Sequence, residues 1–297
     1  MSSIKDLPDK VERELAIARR DTGVPRFALN NVLDRDEYEL LVRNFPFTLL
    51  PPEDSHHYAG LELGPETAAD NRVPNCWMKV LNVLHSDEFK SNLVRACHIE
   101  VRRRYPVIWR LFVARRVSNP DSYLIRTTLS NNYPNRYLPP HSDNSYKALA
   151  MILYLTLNSV ESASQGTRFY TANTRKASAK AIRRYNRLSD SRIVRALPKF
   201  VLPMTSCNIH NHCDSDELRS ESEGWFHSNF TNNYTVPFGP NRIAGFVKTQ
   251  DSFHEVDLRG LASEEQRLSL LINLNLKHSM LARFGQFMRR RLMGLNS

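Results

Sequence analysis

The chain has 297 residues, 41% of them hydrophobic, and a formal net charge of +10. That is enough apolar material for a real core in one large domain or two, and without a run of about 18 apolar residues no transmembrane helix is expected. Four scattered cysteines (Cys76, Cys97, Cys207 and Cys213) are too few for a disulfide framework, and the N-terminal segment lacks the apolar core of a secretory signal, so a cytoplasmic location is expected.

In chain order, residues 9 to 20 read as a short charged helix leading through TGVPRF into FALNNVL. Asp34 and Glu37 have the spacing of a capping box, and Tyr38, Leu41, Val42 and Phe45 fall on one stripe of the helix they would start. Pro46 ends it. Residues 46 to 75 carry Pro-Pro, His-His and Gly signals without a clean period, which predicts a loop containing His56 and His57. Ser86 caps a helix running to about Tyr105, with Phe89, Leu93, Ala96, Cys97 and Val101 as its buried stripe and His98 near the surface.

From Val107 the period shifts toward two, so IWRLFVARRV and SYLIRTTLSNNY are predicted strands. ALAMILYLTL at 148–157 is apolar on both faces, as in a strand covered on both sides, although a buried helix has the same pattern. Residues 171 to 240 read as a polar, basic insertion with a helix at 176–187 and long loops after it. NRIAGFVK and SFHEVDL read as a hairpin turning at Thr249, Gln250 and Asp251, RLSLLINLNL as the last strand, and 276–297 as a basic amphipathic helix. The positive charge favours anionic partners such as nucleic acid or acidic lipid without choosing among them. Its clusters, Arg102 to Arg104, residues 173–187 and Arg289 to Arg291, read first as solvated helix faces.

The residues that carry chemistry surround the central apolar run. His141 and Asp143 stand immediately before it in YLPPHSDNSYKALAMILYLTLN, and residues i and i+2 of an extended segment project to one face. His254 follows 111 residues after Asp143, and Arg267, 13 residues further on, shares a strand face with Ser269. Two imidazoles and one carboxylate on one side of an ion leave positions open for a chelating substrate and O2, the facial arrangement of non-heme Fe(II) oxygenases. Cys207, His210, His212 and Cys213 also lie close together, but His-x-His followed by an adjacent Cys fits poorly with zinc spacing.

The order His-x-Asp, distant His, Arg-x-Ser, with GTRFY at 166–170 and NRIAGFVKTQDSFHEV at 241–256 in between, resembles the 2-oxoglutarate-dependent Fe(II) dioxygenases and, within them, the prolyl-4-hydroxylase-like branch. The resemblance implies one mostly β domain with flanking helices. Its core would be a double-stranded β-helix (jelly roll) over 107–275, interrupted by the 171–240 insertion, supported by a helical part over 1–106 and followed by the C-terminal helix. It implies Fe(II) held by His141, Asp143 and His254, and 2-oxoglutarate as cosubstrate, with Arg267 pairing its far carboxylate and Ser269 adding a hydrogen bond. O2 would be the oxidant and ascorbate a reductant, in the hydroxylation of a C–H bond. Lysine commonly takes the place of Arg267 in that branch, and this chain departs from it there.

The insertion would cover the site mouth and set the choice of a small-molecule, glycan or peptidyl substrate, anionic ones included. Arg126, Tyr133, Lys147, Tyr154 and Arg168 are secondary candidates near cosubstrate or substrate, or plain packing residues. Two other classes stay open. One is a barrel that binds a small molecule or glycan without redox chemistry. The other is a protein that binds nucleic acid or a membrane surface through its basic clusters, with peripheral membrane contact through 278–293.

Overall fold

Polar and apolar residues alternate along the second half of the chain, and a strand with that period can bury one face only by pairing with others. The result is two antiparallel sheets. The larger runs β1 (Arg26–Asn30), β9 (Arg242–Val247), β5 (Lys147–Leu155), β11 (Arg267–Leu276), β3 (Tyr123–Asn132), β2 (Tyr58–Leu63). The smaller runs β7 (Cys207–Asn208), β4 (Tyr137–Ser142), β10 (His254–Asp257), β6 (Ser162–Ala172), β8 (Phe230–Phe238). The computed structural model describes residues 3–18, 25–54, 58–64, 72–105, 110, 114–144, 146–157, 161–185, 206–210, 213–249, 251–259 and 266–277.

From β3 to β6 the chain changes sheet at every strand, and from β8 to β11 it does so again. Among these eight, β11 lies between β3 and β5, and β10 between β4 and β6. That connectivity is the jelly roll, or double-stranded β-helix, that the sequence led us to expect. The face of β11 carrying Leu270, Ile272, Leu274 and Leu276, and that of β5 carrying Leu149, Met151, Leu153 and Leu155, pack outward against helices. Those are α1 (Leu7–Ala18), α2 (Arg35–Arg43), α3 (Asn75–Leu84) and α4 (Asp87–Arg103). Between the sheets lie Ala150, Tyr154, Phe169, Val236, Phe238, Ala244 and Phe246. β5 is therefore covered on both faces, and the helical alternative for its apolar run falls away. On the outer face of the smaller sheet, Tyr170, Phe230 and Phe253 pack against α5 (Arg175–Tyr185) and α6 (Asp216–Asn229).

The structure departs from the sequence reading at several elements. Residues 46–75 are not all loop: β2 forms the sheet edge, a 3-10 turn occupies Phe47–Leu49, and α3 begins at Asn75. Residues 114–117 are helical rather than extended, with only Val117 of that stretch buried. Residues 230–238 are not loop but an edge strand of the smaller sheet. Thr231, Asn232 and Asn233 are exposed, which gives β8 the composition of a loop. β9 and β10 are not a hairpin, because β9 pairs with β1 and β5 while β10 pairs with β4 and β6. Asp34 stands at the N-cap position of α2, but its side chain makes no capping hydrogen bond and no capping box closes; Glu37 accepts from the Ser3 amide and hydroxyl instead. Ser86 caps α4 as read, accepting from the Phe89 amide. His56, His57, His212 and the C-terminal helix beyond Lys277 lie outside the described residues. Among those described, no helix is long and apolar enough to cross a membrane.

Helix α2 is tied to the end of β5 by one hydroxyl. Tyr38 is buried, and its oxygen lies 3.1 Å from the Tyr154 carbonyl and 2.8 Å from that of Thr156, while the Thr156 amide donates to it at 2.8 Å. Tyr38→Phe keeps the ring and removes these bonds. It should lower unfolding stability by about 1–3 kcal/mol, read as a reduced urea midpoint with an unchanged m-value; an unchanged midpoint would mean that the end of β5 is held by packing alone.

Candidate active site

Antiparallel pairing of β4 with β10 places His141 directly opposite His254. Their ring centroids are 4.2 Å apart, and Asp143, just past the end of β4, completes a group whose ligand atoms all lie within 4.8 Å of one another. Each imidazole is oriented by its own backbone: His141 Nδ1 lies 2.9 Å from the Pro139 carbonyl and His254 Nδ1 lies 3.1 Å from that of Ser252. A carbonyl can only accept, so Nδ1 carries the proton in both rings and each Nε2 keeps its lone pair for a metal.

Burial reinforces this state. It pushes the His141 pKa below its usual value and, with the His141 ring adding to the effect, that of His254 to about 3. Burial alone would raise the Asp143 pKa, but the Lys147 ammonium and the two imidazoles outweigh it and hold the carboxyl well below the usual carboxylate range. At neutral pH the group is two neutral imidazoles and one carboxylate, the donor set that a divalent first-row metal requires. Among the described residues, no other cluster of His, Cys, Asp or Glu has such geometry. In particular, His210 pairs with Glu223 at 2.6 Å and the Cys213 thiol is directed at the Ile209 and Leu218 carbonyls.

Arg267 and Ser269 share one face of β11, the face turned toward Tyr154 and Thr167. Arg267 is only 3% exposed. Its Nη2 donates to the Thr167 hydroxyl at 3.1 Å, its guanidinium lies over the rings of Tyr154 (4.9 Å) and Phe238 (5.8 Å), and its Nε has no partner. No acidic side chain among the described residues pairs with it. A buried guanidinium without a counter-charge is costly unless an anion completes it, so the pocket fits a carboxylate. The Thr167 hydroxyl also meets the Tyr154 hydroxyl at 2.7 Å, and the Ser269 hydroxyl meets Ser130 at 2.7 Å.

Of the secondary candidates, Tyr154 and Lys147 belong to this region, whereas Arg168 does not. It sits on the opposite face of β6, 2.9 Å from Glu255. Arg126 is half exposed on the edge side of β3 beside Glu62, and the structure assigns Tyr133 no contact with the site. Thr167 and Ser130 were not singled out from the sequence. Thr167 lies within the GTRFY segment, and strand alternation from Phe169, which packs beside His254, was the available signal.

The sequence matches no protein-family model and no curated protein. Among solved structures, the chain is similar to a prolyl-4-hydroxylase from Pseudomonas putida, at 11% identity, 91% of this chain and 100% of that chain covered, and a TM-score of 0.47. It is also similar to HygX from Streptomyces hygroscopicus, with nickel and 2-oxoglutarate bound, at 10% identity, 89% and 87% coverage and a TM-score of 0.44. An oxidoreductase of the 2OG-Fe(II) oxygenase family from Burkholderia pseudomallei is similar at 10% identity, 93% coverage of both chains and a TM-score of 0.41. The fold and the site rest on this chain's own strand order and side chains.

One further charge lies inside the protein. Lys248 follows β9, is fully buried, and among the described residues has a single hydrogen-bond partner for its ammonium, the Thr249 carbonyl at 2.6 Å. Burial lowers its pKa from 10.5 to about 8. Between those values the unfolded chain binds the extra proton, so stability should rise with pH across that window. Lys248→Met should stabilise the fold at pH 7 by about 1–4 kcal/mol and remove that rise, as read from urea unfolding at pH 7 and pH 9.5. A lower midpoint at pH 7 would show instead that the Asp143 and Asp251 carboxylates hold the ammonium.

Proposed function

We propose that this protein is an Fe(II)- and 2-oxoglutarate-dependent oxygenase that hydroxylates a C–H bond of its substrate. The observation that carries the reading is the pairing, inside one barrel, of a preset His–Asp–His group on the smaller sheet with a buried guanidinium on the larger that has no acidic partner among the described residues. In this reading, Nε2 of His141 and of His254 and a carboxylate oxygen of Asp143 hold the ion from one side. Arg267 takes the far carboxylate of 2-oxoglutarate with the Thr167 hydroxyl beside it, and Ser269 supports that end through Ser130.

The register supports the spacing. Thr167 is two residues from Phe169, the partner of His254, so the two ends of the site are offset along β6 by about 7 Å. A five-carbon diacid spans about 5 Å between its terminal carbons. Iron, 2-oxoglutarate and O2, when bound, supply the oxidative decarboxylation to succinate that drives hydroxylation. The chain contributes orientation, a fixed proton on each Nδ1, and dry walls: Phe169 and Phe246 cover His254, and Tyr154 and Phe238 cover Arg267.

A role through surface charge has less support, because several described members of the basic clusters are engaged within the protein. Arg104 bonds backbone carbonyls, Arg184 pairs with Glu221, and Lys180 lies over the Trp225 ring.

Purified protein with Fe(II), O2 and 2-oxoglutarate should form succinate, and His254→Ala should not. Arg267→Ala should weaken 2-oxoglutarate binding by about 2–5 kcal/mol, roughly 30- to several-thousand-fold, because it leaves a carboxylate desolvated and unpaired. Iron affinity should hardly change, and Arg267→Lys should recover part of the loss by restoring charge without the planar fork. Titrations of the variants with each ligand separate these outcomes; weakened iron with intact cosubstrate binding would remove Arg267 from the site.

A further inference from the structure

Asp143 stands in the turn between β4 and β5, where a carboxylate free of partners could occupy several rotamers. It is not free. The Lys147 ammonium donates to its Oδ1 at 2.9 Å, with the two side chains only 12% (Asp143) and 20% (Lys147) exposed, while Oδ2 accepts no hydrogen bond from the described residues. Lys147 is fixed in turn. Its amide donates to the Asn144 carbonyl at 3.1 Å, which closes the turn, and Arg104, at the end of α4, donates to its carbonyl at 2.6 Å and to that of Lys248 at 3.5 Å.

We infer that Lys147 is a positioning residue for the metal, an inference that rests on the His–Asp–His reading of the site. By occupying Oδ1 it holds the carboxylate in one rotamer and leaves Oδ2 as the oxygen presented beside the two imidazoles. Arg104 extends that constraint to the helical layer. Two effects oppose each other here. The ammonium's charge disfavours a nearby dication, whereas a fixed ligand favours it by removing the entropy of orienting Asp143. The charge effect is softened because the carboxylate lies between the two cations. The orientation effect has no such offset, and loss of a partner that orients a ligand typically weakens metal binding by about 10- to 100-fold.

The test is a metal titration of the full chain by calorimetry, with anaerobic Fe(II) and with Mn(II), for wild type, Lys147→Met, Lys147→Arg and His254→Ala. Methionine matches the stem of lysine and removes only the ammonium, and a urea midpoint for each variant checks that it folds. Wild type should bind one ion. Lys147→Met should bind about 10- to 100-fold more weakly, and Lys147→Arg, which keeps both charge and donor, should return most of the affinity. Visible spectra of the Co(II) forms should differ from wild type in Lys147→Met and match it in Lys147→Arg. Binding by Lys147→Met equal to or tighter than wild type, or a loss that arginine does not recover, overturns the inference and leaves the triad standing. Failure of wild type to bind an ion, or undiminished binding by His254→Ala, overturns the triad reading itself.

Discussion

Pairing of β4 with β10 is the constraint on which the site depends, because it sets His141 against His254 and thereby decides which face of each strand looks inward. A slip of one residue would turn His254 to the outer face and present Glu255 to the interior. The register is guarded from the other side. β6 pairs His254 with Phe169 and Glu255 with Arg168, and on the outer face Glu255, only 2% exposed, accepts from Arg168 at 2.9 Å and from the Tyr170 hydroxyl at 2.6 Å. A carboxylate can be buried there only with those donors, so the slipped arrangement would lose both the ion pair and the juxtaposition of His254 with His141. Arg168, a candidate for substrate contact from sequence, thus serves the site by fixing a register.

The barrel interior makes opposite electrostatic demands at its two ends. Near the triad, burial keeps the imidazoles neutral and Lys147 balances Asp143. At the other end, Arg267 is buried without an acidic partner among the described residues, and its Nε has no hydrogen-bond partner among them. Adding only a dication would increase the positive charge of a poorly solvated space, and adding only a dianion would leave a carboxylate without its metal. A divalent metal and a dicarboxylate together add no net charge, and each supplies the other's missing partner. This mutual compensation is the physical reason for expecting the two ligands to bind more favourably together than apart.

Features carried by local period or fixed spacing could be read before the structure was known. The alternation of β3 and β11, the serine cap of α4 and the order His-x-Asp, His, Arg-x-Ser are of that kind. What escaped depends on pairing across long separations. The Arg267–Thr167 contact joins residues 100 positions apart, and Ser130 meets Ser269 only because β3 and β11 are neighbours in register. Turn residues at 249–251 mark a reversal, but they do not say whether the chain returns to the same sheet or crosses to the other, and here it crosses. β8 was hidden for a different reason. An edge strand of the smaller sheet shows its Asn and Thr side chains to solvent, so its composition matches that of the loops around it.

Crossing between sheets also changes what the insertion does. Its sequence suggested a cover over the site mouth, yet its two described helices lie on the outer face of the smaller sheet, behind the His–Asp–His group. Phe226 of α6 packs on Phe253, the residue immediately before His254, and on Phe230 with nearly parallel rings 4.2 Å apart. Ser178 of α5 donates to Asp251 in the same turn. Because Nδ1 of His254 is oriented by the carbonyl of Ser252, the segment from 251 to 253 carries both the anchor for these helices and the hydrogen bond that sets the imidazole. α5 and α6 are therefore linked to the position of the His254 imidazole through three residues of backbone.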